Sequence, residues 1–457
     1  MTHLFHPSLL REYDMRGVVG ETLGAEDAYA VGRTFGTLIG RAGGSAVAVG
    51  RDGRLSSPML ETALVRGLAD SGVDVLRIGL GPTPMLYFAE AEREVMGGIQ
   101  ITGSHNPRDH NGFKLVFQHR PFFGEDIQQL GGQAAAGDWR AGSGRVDTVD
   151  LLDAYVARLM RGFDGGAFRI GWDTGNGAAG PAVEKLTQLL PGEHHLLFTD
   201  IDGNFPHHHP DPSEERNLAD LKALVLRNRL HFGLAFDGDG DRIGVVDGQG
   251  RAIWGDQLLS IFAQDVLKDH PGAAVIADVK ASQTLFDQVE AWGGVPLMWK
   301  TGHSQIKSRM KETGSLLAGE MTGHVFFADD YYGFDDGLYA AVRLIRTVSR
   351  LGRSVAQLRD AMPVMANTPE LRFPVEESRK FAVVDEVLAR LRAAGAAVDD
   401  TDGARVRTAD GWWLLRASNT QNALVARAEA KDASSLDRLI AMLDSQLVES
   451  GVIRPRS

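Results

Sequence analysis

From about residue 45 onward, short runs of consecutive apolar residues alternate with stretches in which apolar positions return every three or four residues. A short apolar run bounded by Gly or polar residues reads as a strand buried on both faces, and the longer spacing as a helix with one buried face. Ala46–Gly50 is one such run, and Ser56–Ser71 after it has helical spacing, with Pro58 near its start and Gly72 past its end. Phe168–Trp172 precedes a second helix over about Ala182–Leu190, and Ala273–Ala277 a third over about Ser282–Trp292. The runs close on Asp52, Asp173 and Asp278. Strand and helix in alternation predict βα units, and the recurrence predicts three related α/β domains in tandem.

The punctuation suggests where they meet. Gly131–Gly144 is rich in Gly and Ala with little pattern, which puts a junction near 147; paired strands Phe232–Phe236 and Ile243–Val246 end in the turn Asp247–Gly250; and Met362-Pro363 marks a third boundary. Beyond it, the extended stretch Glu370–Val375, a helix over Phe381–Ala394, strands near Ala404–Arg407 and Trp412–Leu415, and a final helix over Ser435–Glu449 predict a smaller α+β unit. The expected domains are 1–147, 148–250, 251–363 and 364–457.

At 457 residues, 43% of them hydrophobic and 24% charged, the chain has room for several cores and no disordered bias. Its 48 Lys+Arg against 60 Asp+Glu make a net charge of −12, which disfavours nonspecific attraction to nucleic acid or anionic membranes. An anionic ligand must be held by a local site. With no cysteine, disulfides, thiolate metal sites and cysteine nucleophiles are excluded. The N-terminus lacks a basic segment followed by an apolar one and no apolar run is long enough to cross a bilayer, so the expected location is the cytoplasm.

Several loops carry chemistry. Ile101-Thr-Gly-Ser-His-Asn-Pro107 places Ser104 on a loop after a β-rich stretch, with His105 beside it to supply a donor or proton and no Gly-x-Ser-x-Gly elbow around it. In Phe236-Asp-Gly-Asp-Gly-Asp-Arg242 the carboxylates of Asp237, Asp239 and Asp241 can converge on one hard cation, with Arg242 as a fixed positive group for phosphate oxygens. An EF-hand is excluded by Arg242 and Gly248, which stand where its loop needs Gly and Glu. Glu320 and His324 of Gly-Glu-Met-Thr-Gly-His can bond sugar hydroxyls, and Arg416, Ser418, Asn419 and Thr420 suit a phosphate monoester. Two competing signals are Gly175-Asn-Gly-Ala-Ala-Gly180, which fits a dinucleotide fingerprint, and His207-His-His209, whose neighbouring prolines favour a solvated loop over a metal site.

Together these loops resemble the α-D-phosphohexomutase superfamily, most closely its bacterial phosphomannomutase/phosphoglucomutase branch, over nearly the whole chain. The resemblance implies four domains around a central cleft, three of them related α/β domains with mixed sheets and the last an α+β domain able to close. It implies an isomerase that moves a phosphoryl group reversibly between the 1 and 6 positions of mannose or glucose phosphates. Ser104 would be the phosphorylated residue, and Mg²⁺ would be held by Asp237, Asp239, Asp241 and the serine group. Hexose 1,6-bisphosphate would be both intermediate and activator. His105, Arg16, Lys114, Arg242 and His303 would serve the chemistry, with Lys114 and His303 as proton carriers in roles left open. Tyr13, Lys280, His303, Glu320, Met321, Thr322, His324 and the Arg416 loop would hold substrate.

Thr322 replaces the serine usual in the sugar loop, Gln421-Asn422 stands where a proline is common, and Met321 resembles enzymes that use both glucose and mannose phosphates rather than glucosamine. The alternatives are a Mg²⁺-dependent sugar-phosphate phosphatase, phosphoglucosamine specificity, a dinucleotide-dependent oxidoreductase and a non-catalytic binder. Expected partners are hexose phosphates only, for a monomer or small homo-oligomer.

Overall fold

The computed structural model describes residues 2–419 and 422–454, in four sheets. Three share one core order. In the first, strand Ala46–Arg51 lies between Asp74–Leu80 and Gly97–Ile101, all parallel, and His110–Phe117 adds antiparallel beyond Gly97–Ile101. The second repeats this with Phe168–Asp173 between Gly192–Leu197 and Phe232–Phe236, and Ile243–Asp247 antiparallel at the side. The third uses Ala274–Asp278 between Val295–Trp299 and Leu317–Gly319, with Val325–Phe327 antiparallel. Parallel neighbours need a crossover, which the helices Ser57–Asp70, Gly180–Leu189 and Gln283–Ala291 supply. Three related units with mixed sheets follow directly.

The fourth sheet is wholly antiparallel, in the order Ala366–Asn367, Ala423–Ala430, Gly411–Ala417, Ala404–Arg407, Val398–Asp399, with Leu371–Pro374 also on Ala423–Ala430. Helices Glu377–Ala393 and Ala433–Glu449 complete it, and Asp432 caps the latter by accepting from Ser435 N at 2.8 Å.

Two local expectations need correction. Gly131–Gly144 is not patternless: helix Glu125–Ala136 runs into it, burying Ile127, Leu130, Gly131 and Ala134. Helix Glu377–Ala393 begins four residues before the expected Phe381, because its polar first turn shows no apolar period. The sequence reading passed over strand Ala423–Ala430, whose alanines favour helix although Arg427 and Glu429 alternate with them; all its residues are buried, and sheet pairing overrides propensity. Residue 147 falls on strand Val146–Thr148, which pairs with Asp74–Leu80 in the first sheet.

One hydrophobic cluster runs through the first three units, joining Tyr87 and Phe88 to Tyr155, Trp172 and Phe236 and on to Phe262 and Phe327. The C-terminal unit has its own core around Phe373, Val387, Trp413 and Leu443, and meets the third through a small apolar contact of Val279, Met298, Trp412 and Leu414. Among the described residues, no helix is long and apolar enough to cross a membrane.

Candidate active site

Strand Gly97–Ile101 delivers Thr102-Gly103-Ser104 to the centre of the molecule. Ser104 sits at φ +46°, a left-handed conformation that costs a non-glycine residue energy and persists only when its surroundings impose it. Asp52 accepts from Gly103 N at 3.0 Å, and Thr102 Oγ1 accepts from Ser104 N at 2.8 Å. Arg54, 1% exposed, donates to the carbonyls of Ser104, Asn106, Pro107 and His110 at 2.5 to 2.9 Å. Any side chain at Gly103 would meet that guanidinium at 2.2 Å. Arg54 thus moulds the loop, and sequence reasoning missed it because an arginine after a strand has no signature of its own.

The end of Phe232–Phe236 brings Asp237 to the serine: Ser104 Oγ donates to Asp237 Oδ2 at 2.7 Å and lies 3.1 Å from His105 Nδ1. Burial, with Arg242, Arg16 and Lys114 nearby, keeps the His105 imidazole neutral by pushing its pKa well down. Gly238 passes so close to the serine loop that a Cβ there would meet Ser104 O at 2.5 Å. Thr83 donates to Asp239 at 2.5 Å, and Lys114 Nζ donates to Asp239 at 2.8 Å and also to Asp241.

Asp237, Asp239 and Asp241 are fully buried, with oxygens within 4.8 Å of one another. Burial and its two acidic neighbours push Asp237 well up; burial opposes charge on Asp239 and Asp241 as well, but Lys114 takes Asp239 to about 2 and Asp241 lower still. Oδ1 of Asp239 has no hydrogen-bond partner among the described residues, and Oδ1 of Asp241 faces His324 Nε2 at 3.3 Å. Hard oxygen donors, crowded, dry and partly unpaired, fit a divalent cation.

The third unit faces this pair of loops. Glu320 accepts from Gly302 N at 2.7 Å and from His324 Nδ1 at 2.9 Å, while His324 Nε2 lies 3.3 Å from both Asp241 Oδ1 and Arg242 Nε. Burial disfavours the imidazolium and Arg242 repels it, but Asp241 and Glu320 raise His324 to about 9, so it is charged at neutral pH. His303 begins helix His303–Thr313 with Nδ1 3.3 Å from Asp335 Oδ2, and burial beside Lys307 lowers its pKa. Thr322 Oγ1 lies 3.3 Å from His324 Nδ1, and Met321 Sδ accepts from Arg427 at 3.1 Å. Lys280 Nζ stands 3.5 Å from Glu370 and 3.8 Å from Asp278. Asp335 also went unforeseen: it stands in Gly333-Phe-Asp-Asp-Gly337, which the sequence reading passed over, and it ties His303 to Lys307.

From the C-terminal unit come Arg416, whose Nε donates to Asp402 at 3.0 Å and whose buried Nη2 has no partner among the described residues, and buried Ser418. Asn419 Nδ2 donates to Tyr13 Oη at 2.5 Å, and Tyr13 Oη to Thr301 O at 2.6 Å. Arg16, buried and paired with Asp14, completes the cluster. Thr420 and Gln421 lie outside the described residues.

The competing signals fall away on geometry. In Gly175–Gly180 the backbone N–H groups a pyrophosphate would need are already used: Asn176 N bonds Phe198 O, Gly177 N bonds Thr174 O, and Ala178 N bonds Gly238 O. His207 pairs with Asn176 and His208 with Asp173, so the three histidines do not converge. Two open cavities of about 300 and 380 Å³ lie at the joint of the third and fourth units, around Arg405 and Trp412, and hold none of these groups.

Family models for all four parts of a phosphoglucomutase/phosphomannomutase match in order: alpha/beta/alpha domain I over residues 7–140, domain II over 153–250, domain III over 254–365 and the C-terminal domain over 370–446. The chain belongs to the phosphoglucomutase/phosphomannomutase family. A phosphomannomutase/phosphoglucomutase of Pseudomonas putida in that family is 46% identical over 442 residues, covering 96% of each chain. A phosphoglucomutase of Neisseria gonorrhoeae is 43% identical over 94% of this chain and 95% of its own. The crystal structure of a phosphoglucomutase/phosphomannomutase family protein from Burkholderia thailandensis superposes with a TM-score of 0.93 at 42% identity, covering 99% of this chain and all of the other.

Proposed function

We propose that this enzyme interconverts the 1- and 6-phosphates of mannose and glucose through phosphorylated Ser104. The observation that carries the reading is the convergence of one strand-end loop from each unit: Ser104 within 2.7 Å of Asp237, the Glu320–His324 pair 3.3 Å from Asp241, and Arg416 tied to the neighbouring Thr301 loop through Asp402. A phosphatase would need no serine held against the acidic loop.

Ser104 gives its phosphoryl group to the free 1- or 6-hydroxyl, the hexose 1,6-bisphosphate reorients, and the other phosphate returns to the serine. Asp237, Asp239 and Asp241, with the serine group, would hold Mg²⁺, which offsets the charge on the transferring phosphoryl oxygens. Arg242 and Arg16 add fixed positive charge at the same place. Lys114 and His303 are the candidates for proton transfer: burial keeps His303 neutral and able to take a proton, while Lys114 is held as an ammonium by Asp239 and Asp241, which oppose loss of its proton until a cation or the substrate displaces them. Glu320 and His324 bond the sugar hydroxyls, and Arg416, Ser418 and Asn419 grip the phosphate that is not reacting.

Supporting dual use, Met321 offers the 2-hydroxyl no donor, so the two epimers meet the same Glu320. The test is turnover of mannose 1-phosphate and glucose 1-phosphate side by side, with Mg²⁺ and a trace of bisphosphate. Both should be isomerised, with kcat/KM within about a hundredfold of each other. Release of inorganic phosphate instead would make it a phosphatase.

A further inference from the structure

The backbone of Thr301 is held on both sides. Its carbonyl accepts from Tyr13 Oη at 2.6 Å, and its N–H donates to Asp402 Oδ2 at 3.0 Å. The same carboxylate oxygen accepts from Arg416 Nε at 3.0 Å. One residue further, Gly302 N donates to Glu320. Asp402 stands on the turn joining Val398–Asp399 to Ala404–Arg407, next to Gly403 at φ +93°. A Cβ on Gly403 would lie 2.3 Å from Leu415 O and 2.7 Å from Arg416 Cβ, so this turn is pressed against the strand that carries Arg416. With Nε engaged by Asp402, the guanidinium has a set direction, and its buried Nη2 is left to take a ligand oxygen.

We propose that Asp402 is a positioning residue. It aims Arg416 at the phosphate and, through Thr301 N–H, couples the phosphate loop of the C-terminal unit to the loop that sets His303 and Glu320. Phosphate capture and placement of the sugar-facing groups then form one event, although Asp402 touches no reacting atom. The proposal rests on the mutase reading above. It also has a sign that simple electrostatics lacks: removing a carboxylate beside Arg416 would strengthen phosphate attraction if charge alone mattered, whereas loss of aim weakens it.

The experiment compares Asp402→Ala, Asp402→Ser, Asp402→Asn, Arg416→Ala and the double variant Asp402→Ala/Arg416→Ala, each checked by thermal melting. The readouts are kcat and KM for glucose 1-phosphate and calorimetric binding of glucose 6-phosphate. Asp402→Ala should raise KM and weaken binding roughly ten- to hundredfold while kcat falls less, as for loss of one charge-assisted contact. Asp402→Asn keeps an acceptor oxygen and should recover most of the loss; Asp402→Ser, too short to reach both donors, should not, and it stands in if the Ala variant fails to fold. In glucose 6-phosphate binding the double variant should lose clearly less than the sum of the two single losses. Unchanged or tighter binding in Asp402→Ala, or additive losses in the double variant, would overturn the proposal. A wild type that binds glucose 6-phosphate but does not isomerise it would overturn the mutase reading instead, leaving the binding comparison to judge Asp402.

Discussion

Ser104 and Asp237 stand on loops that follow strands of two different sheets, yet the serine hydroxyl donates to the aspartate at 2.7 Å. The proposed nucleophile and the carboxylates proposed to hold the cation therefore touch across a domain junction. Ser104→Ala should abolish mutase turnover and, in intact-mass spectra of purified protein, remove a phosphorylated fraction present in the wild type. Full turnover by the Ala variant would rule out the serine.

The acidic loop should serve chemistry at the expense of stability. Burial and two acidic neighbours disfavour the charged form of Asp237, so a neutral Asp237→Asn should cost the metal-free protein little while removing a carboxylate from the proposed cation site. EDTA should abolish wild-type activity and Mg²⁺ restore it. In thermal melts, Mg²⁺ should raise the wild-type midpoint and leave Asp237→Asn nearly unmoved, and the variant should melt no lower than wild type in EDTA.

Arg54 is a scaffold for the serine loop rather than a ligand of the substrate. Its four carbonyl acceptors would be left short of partners by Arg54→Ala, at about 1–3 kcal/mol for each one that stays dry. Arg54→Lys cannot reproduce the planar fork. Both variants should lose most of kcat, with Ala also lowering the melting temperature; normal kcat in Arg54→Lys would show that the loop holds its left-handed serine unaided.

Asp336 gives the fold a pH dependence that can be separated from catalysis. It caps helix Gly337–Leu351 and accepts from Tyr155 and Tyr331, and burial outweighs these bonds to raise its pKa from 3.8 to about 7. Because the folded value exceeds the unfolded one, its stabilising contribution is complete below about pH 4, declines as pH rises toward 7, and is level above that. Denaturant melts between pH 5 and 8 should show this decline in the wild type and a flatter profile in Asp336→Asn. Identical slopes would place its pKa in the ordinary range.

What the sequence determined by itself is what local chemistry enforces. Short apolar runs before Asp52, Asp173 and Asp278 declared the βα repeat, because strands buried on both faces have little freedom in composition. The glycine-flanked serine, aspartate and glutamate loops declared the chemistry, because a backbone that must approach another loop as closely as Gly238 approaches Ser104 admits only glycine. Only the tertiary structure decided the rest. Arg54, Asp335 and Asp402 act on backbone groups or charges far away in sequence, and an isolated Arg or Asp carries no local mark of its distant partner. Strand Ala423–Ala430 is a strand because strands on both edges take up its backbone bonds, while Leu424, Ala426, Ala428 and Ala430 enter the C-terminal core and Arg427 and Glu429 on the other face bond Lys280 O and Ser282 of the third unit, against the helical leaning of its alanines. Local propensities are worth tenths of a kcal/mol per residue, whereas leaving a buried donor or acceptor unpaired costs whole kcal/mol, so where the two conflict the long-range contact wins.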